Sequence, residues 1–387
     1  MADPARPAAA PASPHQVFRA IRYFDTLDGL RALAIFFVIG HHALGPDDSL
    51  FGYGTHFALF FAISGFLITT LLLRERDKYG DISLRRFFIR RAIRLYPLYY
   101  TVLAMYVVLV WAVEGGTEAG VGFWRNLPAY LTFTANWFVS LEADRVIFYF
   151  AWSLAAQEQF YLVWPWIVKH SRRRWMPAAF LAVVFAVDLL LEGLLHSGVL
   201  RLGTTAARVV TSPSAPILIG CALAYALHWA RSFDVVHAVL GRRWSLPAAF
   251  AAMAAGYALR VPNPWMTLLM AGVVAAGCIR PDAGLKRALS NRVLAYLGTI
   301  SYGLYLMHML AINVSRKLSL SGWALYLAAL AITVVAASLS YRWFETPLLA
   351  LKDRFAGRRP APGWQTPAGP AVVPAAPVAA GDNPATA

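Results

Sequence analysis

Charge is what this chain lacks most. Only 14% of its 387 residues are Asp, Glu, Lys or Arg, against about 25% in a soluble globular domain. Hydrophobic residues make up 59%, and mean hydropathy is +0.53. Cysteine is nearly absent. Cys221 and Cys278 both sit inside apolar runs without metal-ligand spacing, so neither a disulfide framework nor a metal site is expected. Carboxylates are outnumbered, 20 acidic against 35 basic residues, for a net charge of +15. Such an excess could mean nucleic acid. Here the positives lie in loops between apolar runs, which is the pattern of membrane orientation, and no nucleic-acid partner is expected. Residues 1–20 are rich in Pro and Ala and lack the apolar core of a signal peptide. No internal repeat is visible.

What the chain has is a succession of apolar runs, each long enough to cross about 30 Å of hydrocarbon. Eleven candidates lie near 28–45, 56–73, 95–113, 124–139, 152–168, 175–195, 213–230, 245–260, 264–279, 293–314 and 323–343. The run 124–139 is short and carries Arg125, Asn126, Pro128 and Asn136. If it does not cross, 27 of the 35 basic residues fall on one side and seven on the other, with Arg31 inside the first span. If it crosses, every later loop flips and the basic runs 169–174 and 280–292 face outward. The expectation is an all-α polytopic membrane protein of about ten transmembrane helices. Both termini are cytoplasmic, and a short re-entrant or peripheral segment lies near 124–139 on the outer side. Residues 1–21 are expected to be disordered, 22–350 to form one membrane domain, and 351–387 to be a disordered Pro/Ala-rich cytoplasmic tail.

Ionisable groups inside such spans cost roughly 2.5–3.5 kcal/mol each on insertion scales, so they mark candidate sites. Arg31 and His42 are eleven residues apart, about three turns, and share a helix face with Asp28 one turn below Arg31. His42 lies deep, toward the outer half. Arg91 and Arg94, at i and i+3, lead into the third run, where guanidinium forks suit a phosphate-bearing ligand. Gln157, Glu158 and Gln159 interrupt the fifth run. Counting a 1.5 Å rise from the outer edge puts Glu158 about 9 Å deep, His42 about 12 Å and His308 about 8 Å. The expectation is one acid–base site of two histidines and a carboxylate.

At these residues the sequence resembles the acyltransferase-3 family of membrane O-acyltransferases, over roughly residues 22–350. The resemblance rests on Leu27-Asp28-Gly29-Leu30-Arg31 with His42, Ser64-Gly65-Phe66-Leu67-Ile68, and Arg91-x-x-Arg94 before Leu95-x-Pro97. It continues with Trp152-Ser153-Leu154, Glu158-x-Phe160-Tyr161, Ile300-Ser301-Tyr302 through His308, and Tyr341 with Glu345-x-Pro347. It implies a ten-helix protein of the bacterial inner (cytoplasmic) membrane, with no permanently bound cofactor. The donor would be a cytoplasmic acyl-CoA, usually acetyl-CoA. The acceptor would be a hydroxyl of an envelope or exported polysaccharide, or of a macrolide or lipid. His42 is the implied catalytic residue, with Glu158 and His308 beside it, and Arg31, Arg91 and Arg94 are donor contacts. Asp28, Trp152, Ser153, Gln157, Tyr161 and Tyr302 are candidate substrate contacts. The family usually has Glu at the position of Gln157, so the acidic role falls to Glu158 or is not needed. No appended hydrolase-like domain is expected, so the membrane domain is expected to complete the transfer itself. A transporter or flippase would also explain charged spans, but it predicts repeated halves.

Overall fold

The computed structural model describes residues 12–355 except 47, 49, 52–56, 142–144, 172, 174, 198–203, 211–214, 281 and 283. Every regular element among the described residues is a helix. In chain order they are α1 (Pro14–Ala20), α2 (Asp25–Leu44), α3 (Phe57–Tyr79), α4 (Leu84–Leu109), α5 (Glu118–Leu131), α6 (Ala135–Phe138), α7 (Ala151–His170), α8 (Met176–His196) and α9 (Thr204–Val210). They continue with α10 (Ala215–His228), α11 (Ala230–Leu240), α12 (Ser245–Ala258), α13 (Asn263–Ile279), α14 (Lys286–Leu289), α15 (Arg292–Thr299), α16 (Ser301–Lys317), α17 (Gly322–Ser340) and α18 (Thr346–Phe355). Wide π-helical turns at Val110–Glu114 and Tyr341–Glu345 extend α4 and join α17 to α18.

Four helices are long and apolar enough to cross a membrane: Asp25–Leu44, Phe57–Tyr79, Leu84–Glu114 and Gly322–Leu351. The pair α15–α16 is a fifth if it is one span, bent by 76°. Shorter apolar helices follow at Met176–Leu191, Ala215–His228, Ser245–Ala258 and Trp265–Ile279. The helix α7 spans 20 residues and carries the Gln157-Glu158-Gln159 interruption.

The run 293–314 is bent at the junction of Thr299 and Ser301. The short run 124–139 is broken between α5 and α6 at Thr132–Thr134, where Phe133 has φ +53°. One expectation differs from what is seen: the N-terminal segment contains a helix, α1, within residues expected to be disordered. A capping box formed by Ser13 and Gln16 starts it. The buried Phe18 ring and Arg74, which donates to the Ile21 carbonyl at 2.5 Å and the Phe18 carbonyl at 3.3 Å, hold it. Residues 1–11 and the tail from 356 lie outside the described residues.

Helices that share a lipid solvent gain little from burying apolar area against each other, so small residues that permit close approach set the packing. The tightest pair is α3 with α10. A Cβ on Gly65 would lie 2.2 Å from the Ile217 carbonyl oxygen, and one on Gly220 would lie 2.1 Å from that of Ala62.

Polar contacts sort the connecting segments into two ends. At one end Arg19 pairs with Asp77, Arg76 donates to the Val168 carbonyl, and Lys169 donates to Asp81 at 2.7 Å. There too Lys286 meets Asp25, and Arg280 donates to the Gly241 carbonyl. The hydrogen bond from Lys169, and then one from the Ile82 backbone, hold the Asp81 carboxyl below its ordinary value. At the other end Arg145 grips Glu114 through both carboxylate oxygens, at 2.8 and 3.1 Å. Arg208 donates to the Val139 carbonyl there, and Arg316 to that of His42. The first end collects the segments 12–25, 74–94, 169–171 and 228–245 with residues 280, 282 and 284–292; the second collects 114–118, 139–141, 145–149 and 316–318.

Candidate active site

The deepest part of the site is a pair of imidazoles. His42 comes from the last turn of α2 and His308 from the middle of α16. Their rings stack with centroids 5.2 Å apart at 30°. Nδ1 of His308 lies 2.5 Å from the Tyr305 carbonyl oxygen. A carbonyl only accepts, so this nitrogen carries the proton. In the neutral ring Nε2 is then a bare lone pair. His308 is fully buried, and Nε2 has no hydrogen-bond partner among the described residues. An unsatisfied buried polar atom is costly and calls for a reason.

Nδ1 of His42 lies 2.6 Å from the Tyr149 hydroxyl, which is also 3.7 Å from the sulfur of Met309. Sulfur can only accept here. The tautomer of His42 sets which of the two groups donates in the shorter contact. Arg316 donates to the His42 carbonyl at 3.1 Å, satisfying a carbonyl at the end of α2. Around the pair, the hydroxyls of Tyr305 and Ser153 lie 2.6 Å apart, and both reach the Phe150 carbonyl at 3.1 Å.

A second polar cluster lies toward the opposite end. Arg31 donates to Asp28 at 3.2 Å, and Asp28 is buried with its second oxygen unpartnered. The backbone there is in close contact with α15, since a Cβ on Gly298 would lie 2.1 Å from the Asp28 carbonyl oxygen. Arg94 sits in the field of Asp28, Arg31, Arg91 and Glu345, yet its guanidinium makes no hydrogen bond or ion pair among the described residues. Arg91 lies over the Tyr161 ring at 3.5 Å, and its Nε is buried without an acceptor. Two guanidinium groups one turn apart on α4, that of Arg94 without a hydrogen bond or ion pair among the described residues and that of Arg91 with its Nε unsatisfied there, form an arrangement that suits an anionic ligand.

Of the expected site residues, the structure brings His42 and His308 together but does not add Glu158 to them. Glu158 faces Arg91 and the Tyr96 hydroxyl, with Tyr302 close by. Counting depth from the outer edge failed because α7 starts deep. Phe150, at its N-terminus, already packs on Tyr305 and His308, with centroids 5.9 and 5.4 Å away. Glu158 is about two turns further in. Gln157 donates to Ser64 at 2.6 Å and also meets Tyr161, while Tyr302 donates to the Leu95 carbonyl. Trp152 packs edge-on against Phe57 and Phe61. Sequence reasoning missed Tyr149, which lies in irregular chain before α7, and Tyr305, whose spacing of three from His308 was a usable signal.

A helical, multi-pass membrane protein with a histidine pair above an arginine cluster is the class that these features define. The chain belongs to the acyltransferase domain family, whose profile matches residues 24–342. It is 29% identical over 354 residues to the peptidoglycan O-acetyltransferase OatA of Listeria monocytogenes, covering 84% of this chain and 56% of that one. It is also 29% identical over 367 residues to YrhL of Bacillus subtilis, provisionally named a peptidoglycan O-acetyltransferase, covering 87% and 57%. A third relative, a provisionally named O-acetyltransferase of Staphylococcus aureus, is 27% identical over 361 residues, covering 85% and 58%. The chain thus spans a little over half the length of these relatives. No solved structure matches it.

Proposed function

We propose that this chain is an integral membrane O-acyltransferase that moves an acetyl group from cytoplasmic acetyl-CoA to a hydroxyl of a cell-wall glycan. The observation that carries this reading is the His42–His308 pair, two stacked imidazoles with Nδ1 of His308 on the Tyr305 carbonyl and Nδ1 of His42 on the Tyr149 hydroxyl; in this reading His42 is the Nδ1–H tautomer and its Nε2 the base. The proposed topology is ten crossings: α2, α3, α4, α7, α8, α10, α12, α13, α15 with α16, and α17. The pair α5–α6 enters and leaves on the outer side. The sorting of loop contacts into two ends supports this, as does the excess of basic residues at the end that carries Lys169 and Arg280.

In this reading the phosphates of the donor dock on Arg91 and Arg94, with Arg31 further in, and the thioester reaches up toward His42. The acceptor hydroxyl gives its proton to Nε2 as its oxygen bonds the acyl carbon. The C–S bond breaks, and the thiolate takes up a proton to leave as CoA. An acyl-imidazole on His42 would use the same nitrogen as nucleophile and adds one step. Labelled acetyl-CoA supplied without acceptor, followed by peptide mapping, separates the two routes. Asp28 and Glu345 supply the negative field around Arg94 in either case.

The decisive experiment uses the purified full chain with acetyl-CoA and a soluble cell-wall glycan fragment, reading release of free CoA. Acceptor-dependent release in the parent, and loss of about 100-fold or more in His42→Ala with CoA binding retained, is the expected result. Release that survives His42→Ala removes His42 from the chemistry. No release from a folded parent overturns the reading.

A further inference from the structure

The segment between α4 and α7 reaches the histidine pair through Tyr149 and Phe150 and packs on Tyr96 of α4 through Phe133. It starts beside Glu114 and returns to it through Arg145. Between these points α5 runs 14 residues, or about 21 Å, into the bundle. At its tip, backbone that no helix satisfies is satisfied by side chains. Tyr99 donates to the Tyr130 carbonyl at 2.7 Å, Tyr100 to that of Leu131 at 3.0 Å, and Gln159 to that of Phe133 at 2.9 Å. The Phe133 ring lies 4.4 Å from that of Tyr99 and 5.4 Å from that of Tyr96. Asn136 and Gln159 exchange two hydrogen bonds, Asn136 Nδ2 to Gln159 Oε1 at 3.0 Å and Gln159 Nε2 to Asn136 Oδ1 at 2.8 Å.

We propose that Phe133 and Asn136 are positioning residues for Glu158. Two attachments converge on that carboxyl. The paired amides fix the rotation of α7 at the very next residue, and successive residues on a helix differ by about 100°. The Phe133 ring backs Tyr96, whose hydroxyl faces Glu158. Together they hold Glu158 toward Arg91, on the donor side, and away from the histidine pair. The left-handed backbone at Phe133 costs about 1 kcal/mol or more for a bulky residue. Glycine would adopt it freely, so the ring is retained for what it packs against. The link to donor use rests on the function proposed above; the placement of Glu158 does not.

The test therefore has two arms on the full chain in detergent, with each variant first shown to be monodisperse. The first arm needs no activity. Dicyclohexylcarbodiimide, a membrane-permeant reagent for protonated carboxyl groups, is reacted with parent, Asn136→Ala and Phe133→Gly, and modification of Glu158 is followed by mass spectrometry. Phe133→Gly keeps the turn and removes only the ring. Both variants are expected to label Glu158 about threefold faster or more; rates equal to the parent's overturn the proposal. The second arm measures kcat/KM for acetyl-CoA. Asn136→Ala is expected to lose about tenfold, with the acceptor KM unchanged, and to lose nothing further when Glu158→Gln is already present. The same loss in both backgrounds would give Asn136 a structural part only and overturn the proposal. A parent that turns over no acetyl-CoA sinks the function proposed above, and the labelling arm then decides the placement alone.

Discussion

One nitrogen of His308 sets it apart from a packed histidine with both ring nitrogens satisfied. The carbonyl of Tyr305 fixes the proton on Nδ1, so Nε2 stays bare in an apolar surround. His308→Asn keeps an amide N–H where Nδ1 sits and removes Nε2. Acetyl transfer is expected to fall by about 100-fold or more while the folded protein and its CoA affinity persist, measured as kcat beside direct CoA binding. Tyr149→Phe removes the hydroxyl that meets His42 Nδ1 and frees the ring to change tautomer or rotate. A fall in kcat of about tenfold with donor KM unchanged is expected; an unchanged kcat would show that the ring is oriented without the phenol. Neither partner was legible in the sequence to the same degree. His42 and His308 announced themselves as costly residues in apolar runs. Tyr149 did not, because an aromatic residue in irregular chain carries no periodic signal.

Helices as units were legible because eleven apolar runs each reappear as helical structure. Their breaks and rotations were not. The run 293–314 is bent next to Gly298, which packs against the backbone of Asp28, a tertiary contact that hydropathy does not record. The break at Thr132–Thr134 depends on Tyr99, Tyr100 and Gln159 from two other helices. Glu158 was misplaced for a similar reason, since depth counted along one helix presumes where that helix starts. Packing between helices gives its own prediction. A methyl at Gly220 meets the Ala62 carbonyl, so Gly220→Ala is expected to cost ~1–3 kcal/mol and lower the thermal unfolding midpoint. Gly272→Ala, in α13 with nothing within 4 Å of the new methyl, is the matched control. It should hold or raise the midpoint, because alanine favours a helix interior over glycine by about 1 kcal/mol.

At the scale of the whole molecule, polar contacts collect the connecting segments into two ends, which the topology proposed above assigns to the two sides of a membrane. Cys221 and Cys278 are both buried, so cysteines added at exposed loop positions dominate labelling. With a membrane-impermeant maleimide applied to intact spheroplasts, Gly116→Cys and Leu141→Cys are expected to label and Lys78→Cys only after permeabilisation. Opposite behaviour of Gly116→Cys and Leu141→Cys would mean that the segment between them crosses the membrane.

The outward face has an optical consequence. Of the 12 tryptophans among the described residues, eight are exposed: Trp111, Trp124, Trp166, Trp175, Trp244, Trp265, Trp323 and Trp343. Trp164, by contrast, is enclosed and donates to Thr69 at 2.9 Å. Most of the indole emission of this protein therefore comes from its periphery, where amphipathic rings favour the boundary of a bilayer. Emission maxima and quenching by brominated acyl chains will report the lipid or detergent collar rather than the interior, and a fluorescence melt of this chain will register loss of that collar before it registers loss of the fold.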